Sequence, residues 1–440
     1  MKRTPKWPKH GRRDFLKKNL LGSLLISSGL PFVSFRPSEE KTHSTKLPGL
    51  NGVEPFSSLW EGVRDAFLFE DQQIYLNTAS LGPSPKVVVD EMCERLKRME
   101  TKFGAKGANG HGLESVYQNI ADFFHTTTDQ FAITRNTTEG MNIMANSLPL
   151  KAGDEVILTT HEHVGGASPW LLLQNEIGIK VVLVELDLSG VDNLSRIRAK
   201  ITDRTKAVCF SHVCCTTGMI LPAKEIVELC KENKLYSCVD GAQAAGLIKV
   251  DLKEIDPDFY AASGHKWLFG PKGTGIFFIN NRVIEKIKPV FAGAYFDRKF
   301  DLNKKVLEYR KTARRVEYGT RNLPMIAGLG KAVSFVQELG IENIEARGKA
   351  MHDYLRNTLE SNQRVEILSP ANKEFATGIF TFRFKERDNL AIVKSLYQKP
   401  ERIKLRGVYE NDLNAIRVST TAFTQKRELD QLLAALQTLD

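Results

Sequence analysis

Residues 261–277, AASGHKWLFGPKGTGIF, set one lysine, Lys266, directly after Ser-Gly-His and just ahead of a glycine-rich, nearly uncharged turn. The residues leading into it, DFYAAS (258–263), are apolar and β-prone, so Lys266 lies just past the end of a strand. The pattern recurs upstream. VVVDEMCERLKRM (87–99), VYQNIADFF (116–124) and TTEGMNIMANSL (137–148) have helical periodicity, whereas FAIT (131–134), EVILTT (155–160), KVVLVEL (180–186), KAVCFSHV (206–213) and LYSCVD (235–240) read as strands. Such alternation predicts an α/β fold with a mostly parallel sheet covered on both faces, whose ligands bind outside the carboxyl ends of the strands. Beyond about residue 325, helical stretches at 325–339 and 342–361 are followed by the strands GIFTFRF (378–384) and AIRVST (415–420) and a last helix near 425–439. That is a smaller α+β domain. The expected organisation is a leader and linker at 1–46, an N-terminal arm at 47–85, a large domain at 86–324 and a small C-terminal domain at 325–440.

The net charge of +10 says little about the body of the chain. Residues 1–46 hold eleven Lys/Arg against three acids, which leaves only +2 on the remaining 394 residues, so no nucleic-acid partner is expected. Within the leader, GRRDFLKKNLLGSLLISSGLPFVSF (11–35) joins the pair Arg12-Arg13 to an apolar run of moderate hydrophobicity, and it resembles a twin-arginine export signal. A membrane anchor is the poorer reading, because Leu20–Phe35 is broken by Gly22, Gly29, Pro31 and four serines and falls short of the roughly 20 apolar residues of a spanning helix. The leader therefore predicts a periplasmic or otherwise exported protein handled by the twin-arginine translocase. That route moves folded cargo and suits a chain that takes up a cofactor before export. A metal is not expected, since the six cysteines lack C-x-x-C spacing and no H-E-x-x-H occurs.

Four polar clusters fall at strand ends. RNTTEGMNIM (135–144) places Asn136 as an N-cap with Glu139 three residues on, a capping-box pattern, and sets Thr137 and Thr138 in the first helical turn, where free backbone N–H groups bind anions. HEHVGGASPW (161–170) brings His161 and His163 after a strand. VDGAQAAG (239–246) ends a strand on Asp240 and puts Gln243 among small residues that let something flat approach the backbone. Ser263 and His265 can donate to a phosphate beside the Lys266 amine. Together these groups match the needs of pyridoxal 5'-phosphate (PLP), which takes a lysine Schiff base and an acidic partner for its pyridine nitrogen. On that reading Asp240 faces the ring nitrogen, Gln243 the phenolic oxygen, Thr138, Ser263 and His265 the phosphate, and His163 stacks on the ring. A dinucleotide reading of GPKGTG fails, because it lacks G-x-G-x-x-G and opens no helix after a strand.

In this order, YLNTASLGPSP (75–85), TRNTTEG (134–140), EHVGGASPW (162–170), SHVCCTTG (211–218), VDGAQAAG, SGHKWLFGPKGTG (263–275) and EYGTRNLPMIAG (317–328) resemble class V aminotransferase-fold enzymes, a group that includes cysteine desulfurases, selenocysteine lyases and isopenicillin N epimerase. The resemblance spans about 70–440. It implies the type I fold of PLP-dependent transferases with a seven-stranded sheet, Lys266 as the Schiff-base lysine, His163 as the stacking base, and Asp240 and Gln243 as ring partners. It also implies that Thr320 is a phosphate ligand reaching across a homodimer interface, and that Arg417 pairs with the substrate α-carboxylate.

Two departures bear on the reaction. The desulfurases carry a nucleophilic cysteine on a mobile loop of the C-terminal domain, and this chain has no cysteine after Cys238. Where they often place an asparagine near the phenolic oxygen, it has Cys215. The first expectation is therefore aminotransfer or epimerisation at Cα of an amino acid or amino-containing small molecule. The alternative is a C–S lyase or desulfurase-like enzyme without the loop cysteine, and a third reading is a PLP-binding protein without turnover.

Overall fold

The strand-like runs gather into one sheet of seven strands: β1 (Phe131–Thr134), β2 (Glu155–Thr159), β3 (Lys180–Val184), β4 (Thr205–Ser211), β5 (Tyr236–Asp240), β6 (Phe259–Ser263) and β7 (Gly275–Ile279). The structure is a computed structural model and describes residues 52–70, 73–101 and 113–438. The leader, with its twin-arginine reading, lies outside the described residues. Across the sheet the order is β1-β7-β6-β5-β4-β2-β3. The pairings from β6 through β5, β4 and β2 to β3 are parallel, and β7 runs antiparallel to both β1 and β6. The expected mostly parallel architecture is present. The antiparallel β7 was not singled out by periodicity, because GIFFI reads like any other buried run.

Side-chain alternation along each strand supplies two cores. On β4, Val208 and Phe210 pack into one cluster while Ala207 and Cys209 pack into the other, and Tyr260/Ala262 against Phe259/Ala261 divide in the same way on β6. Both faces must then be covered. Helices α1 (Thr137–Ser147) and α2 (Val164–Ile177) contribute Met141, Met144 and Trp170 to the second cluster. Helix α3 (Leu323–Leu339) contributes Leu329, Val333 and Leu339 to the first.

After α3 come α4 (Ile341–Leu359) and an antiparallel sheet ordered β10-β11-β13-β12, formed by β10 (Val365–Ile367), β11 (Ile379–Phe384), β12 (Arg406–Val408) and β13 (Ala415–Ser419). Met351 and Leu355 of α4 and Leu429 and Leu432 of α5 (Lys426–Gln437) pack there against Phe380, Phe382, Ile416 and Val418. Between the two sheets, β8 (Asp297–Asp301) and β9 (Val306–Tyr309) make a separate hairpin that the sequence pattern did not announce. The N-terminal segment runs along the small sheet: the Leu76 N–H donates to the Lys404 carbonyl at 3.0 Å, and Leu76 accepts from the Ser419 N–H at 2.9 Å. This contact carries residues 77–82 to the carboxyl end of the large sheet. Among the described residues no helix is long and apolar enough to cross a membrane, and no cluster of three or more His, Cys, Asp or Glu side chains is arranged to hold a metal.

Candidate active site

A cavity of about 360 Å³ opens at the carboxyl ends of β1, β2, β5 and β6, and it brings together Thr137, Thr138, His163, Asp240, Gln243, Ser263, His265, Lys266 and Arg417. Nine of the ten site residues expected from sequence thus share one pocket. The tenth, Thr320, does not. It is exposed and lines a separate depression with Arg135, Tyr318 and Arg321. Its segment is anchored from beneath by Glu317, which accepts from the Tyr117 hydroxyl at 2.7 Å and pairs with Arg321 at 3.0 Å.

One end of the pocket is built for an anion. Asn136 caps α1 through a 2.9 Å bond from the Glu139 N–H, so the unpaired first-turn N–H groups face the cavity beside the bonded hydroxyls of Thr137 and Ser263, 2.6 Å apart. The expected capping box is only half made. Glu139 reaches back to the N–H of Arg135 at 2.6 Å, one residue beyond the cap, because its carboxylate also pairs with the Arg135 guanidinium.

At the other end, Asp240 closes β5. It is 4% exposed, and Oδ1 accepts from the Ala242 N–H at 2.8 Å, the carboxylate's only hydrogen-bond partner among the described residues. Burial raises its pKa, and the nearby Lys266 opposes that shift. For Lys266, burial is the largest effect and draws the ammonium below its ordinary value; Asp240 pulls the other way, and the guanidinium charges of Arg417 and Arg406 add to the lowering. A lysine so placed gives up its proton readily and serves as an amine nucleophile. Its backbone is pinned as well. The Gly82 N–H donates to the His265 carbonyl at 2.8 Å, and a Cβ at position 82 would stand 1.9 Å from the Lys266 carbonyl oxygen.

His163 is the N-cap of α2, with Nδ1 accepting from the Gly165 N–H at 3.0 Å. Burial, followed by the charges of Lys266 and Arg406, pushes its pKa down to about 4. The imidazole is therefore neutral at pH 7 with its proton on Nε2, a tautomer assigned from the cap bond. Gln243 is engaged at both ends of its amide, Nε2 donating to the Ala79 carbonyl at 3.0 Å and Oε1 accepting from Trp267 Nε1 at 2.8 Å. Of the small residues around Gln243, Ala242 lines the cavity, whereas Gly246 serves the chain itself: a Cβ there, at φ +88°, would lie 2.6 Å from the Trp267 carbonyl.

Arg417, on β13, is 1% exposed and donates to the Cys215 carbonyl at 2.7 Å and to Ser80 Oγ at 2.9 Å, while its buried Nε has no partner. No carboxylate pairs with it among the described residues, and burial brings its pKa down to about 10, still charged at pH 7. A buried guanidinium that lines a cavity and has no ion-pair partner of its own among the described residues is a receptor for a carboxylate. Arg406, its cross-strand partner on β12, also lines the pocket and pairs with Glu410. Sequence reasoning passed over Arg406 and Ser80. The motif YLNTASLGPSP did flag the neighbourhood of Ser80, but only sheet register brings Arg406 beside Arg417.

The residue set fits PLP: a buried amine, a buried acid, an anion cradle at a helix N-terminus, and an arginine left for the substrate. Residues 74–431 match the aminotransferase class-V family, and the chain belongs to it. It is a PLP-dependent enzyme of that family. It is 30% identical over 339 residues to a probable cysteine desulfurase of Methanothermobacter thermautotrophicus, covering 76% of this chain and 83% of that protein. Among solved structures it resembles a C-DES variant with glycine covalently linked to the PLP cofactor (TM-score 0.78, 25% identity, 86% of this chain and 99% of that chain). It also resembles the cystine C–S lyase C-DES in complex with its product cysteine persulfide (TM-score 0.77, 26% identity, 84% and 98%). These names favour carbon–sulfur chemistry over the aminotransfer or epimerisation expected first.

Proposed function

We propose that this enzyme is a C–S lyase that cleaves a cysteine-type amino acid, cysteine or its disulfide cystine, by β-elimination, without a protein persulfide. The observation that carries this reading is that, among the described residues, no cysteine lines a pocket otherwise equipped for the reaction. Cys215 is 2% exposed, and burial raises its thiol above the ordinary range; Cys214 is fully buried and shifted further in the same direction. Protonated and enclosed thiols are poor nucleophiles. The connection from β12 to β13, residues 409–414 (YENDLN), contains no cysteine and is tied down where Asn411 donates to the Thr160 carbonyl.

PLP, when bound, supplies the electron sink that lets a bond at Cα break. The chain does the rest. Arg417 would hold the α-carboxylate and so orient Cα in the pocket. The Lys266 amine, buried in the pocket beside Asp240, would take the Cα proton. The Cβ–S bond breaks with its electron pair leaving on sulfur, and Lys266 is placed to protonate the departing atom. Water then completes the balance: cysteine yields pyruvate, ammonia and hydrogen sulfide, and cystine yields pyruvate, ammonia and cysteine persulfide.

The deciding experiment is a product balance on the purified holoenzyme with each substrate. Pyruvate and ammonia are expected in equal amounts with the sulfur product. Stoichiometric alanine, lost when Cys215 is replaced, would instead make the enzyme a desulfurase working through a thiol. Keto-acid-dependent movement of the amino group without sulfur release would return it to the aminotransferases.

Two further parts of the proposal concern assembly and location. Thr320, exposed and outside its own pocket, is read as completing the phosphate site of a second copy, and an active monomer in sedimentation would remove it from the site. Export by the twin-arginine route is supported by Arg12-Arg13 and the apolar run after them. Replacing both arginines with lysine is expected to leave the protein in the cytoplasm on cell fractionation.

A further inference from the structure

Glu162 is the buried acid that the reaction above does not use. It stands between His161 and His163, after β2 and ahead of α2, and is 9% exposed. Oε1 accepts from the Thr159 hydroxyl at 2.5 Å and from the Ser211 N–H at 3.2 Å, and Oε2 is bonded to the Ser211 hydroxyl at 2.7 Å. Ser211 is the register partner of Asp240 across the β4–β5 pairing, so Glu162 grips the strand position beside the acid that faces the cofactor. The two carboxyl groups converge under the first turn of α2. A Cβ on Gly166 would lie 3.1 Å from Asp240 Oδ2 and 4.0 Å from Glu162 Oε2, and only a residue without one leaves that space open. No Lys or Arg pairs with Glu162 among the described residues.

We infer that Glu162 is a positioning residue for the cofactor: below neutral pH, where it keeps its proton, it leaves Asp240 as the single negative charge of the pair and fixes that charge on the ring nitrogen. The inference rests on the orientation of PLP given above, with Asp240 at the ring nitrogen. Burial in a water-poor pocket favours the protonated form of Glu162, and the charge of Asp240 adds to that effect. The groups facing Glu162 do not relieve this. From β4 and the segment after it come the thiols of Cys209 and Cys214, from β5 comes Asp240, and the one ammonium close by, Lys266, acts on Asp240. The Thr159 and Ser211 bonds favour the carboxylate, but burial outweighs them and lifts the Glu162 pKa to about 7. The Ser211 hydroxyl can accept the acid proton as well as donate, so the neutral form keeps its partner.

The test is an infrared titration of the full-length protein, with and without PLP, alongside the pH dependence of the cofactor's visible absorbance. Wild type is expected to show a protonated-carboxyl C=O band that disappears with a midpoint near pH 7. The band should be absent in Glu162→Gln, and its midpoint should move upward in Ser211→Ala, which removes a donor to the ionised form. With PLP bound, the visible spectrum should shift over the same pH range in wild type and stay flat in Glu162→Gln. A tie between β2 and β4 that is merely structural predicts neither change. If the band does not titrate near neutrality, or persists in Glu162→Gln, the neutral acid is refuted. If the band behaves as expected but the visible spectrum ignores it, the link to the ring is refuted. Should Glu162→Gln not accumulate, the wild-type and Ser211→Ala titrations decide the question between them. The titration without PLP is independent of the product balance, so failure of the lyase reading and failure of this one are separable.

Discussion

Lys266→Ala should give a folded enzyme with no lysine-bound cofactor and a turnover lower by about 10³-fold or more, since the change removes both the cofactor's attachment point and the acid–base group at Cα. Folding should survive, because Lys266 takes part in no ion pair among the described residues, and a desolvated ammonium is a poor contributor to stability. Borohydride reduction followed by mass spectrometry of peptides reads the attachment directly, and circular dichroism reads the fold. The alternative amine is Lys272, whose pKa is also drawn down by burial but which lies outside the pocket. If the variant is still covalently labelled, at Lys272 or elsewhere, the lysine assignment is wrong.

Replacing Arg417 by Ala is expected to cut kcat/KM by roughly 30- to 5,000-fold, the range that follows from about 2–5 kcal/mol for loss of one member of a buried charge pair. The pair forms only when substrate arrives, so the loss should fall mainly on KM. Arg417→Lys should recover part of it, since a point charge replaces a planar fork. An amine substrate without the carboxylate should not distinguish wild type from Arg417→Ala. Equal losses with and without the carboxylate would mean that Arg417 acts by bracing Cys215 and Ser80, which it also contacts.

The parts of the molecule legible in its sequence are those where one local pattern has one structural meaning. β2 (EVILT) and β4 (TKAVCFS) had to be central strands, because almost every position is apolar or buried and such a run needs cover on both faces. Asp240, Lys266 and the threonines of α1 were legible because strand ends and helix N-termini are where such groups become useful. The residues missed owe their place to distant pairing. Arg406 reaches the pocket because β12 pairs with β13 in one register, and Ser80 because the N-terminal segment crosses the small sheet. Glu162 was hidden in plain view between two histidines, since nothing local says that its neighbour across the fold is an aspartate. Thr320 shows the opposite limit. Its motif was readable, but the pocket it was assigned to belongs to a second copy of the chain, and one protomer shows only that Thr320 lies outside its own pocket.

The six-residue connection between β12 and β13 bears on where the sulfur goes. An enzyme that parks sulfur on its own thiol must be met by an acceptor that docks, so its product travels by address. Under the lyase reading, a connection with no thiol to load has nothing to hand over, and the product would leave by diffusion. It reaches whichever molecule in the surrounding fluid reacts first. The natural consumers of its output would then be small thiols, metal ions and other freely diffusing solutes, with no dedicated carrier required.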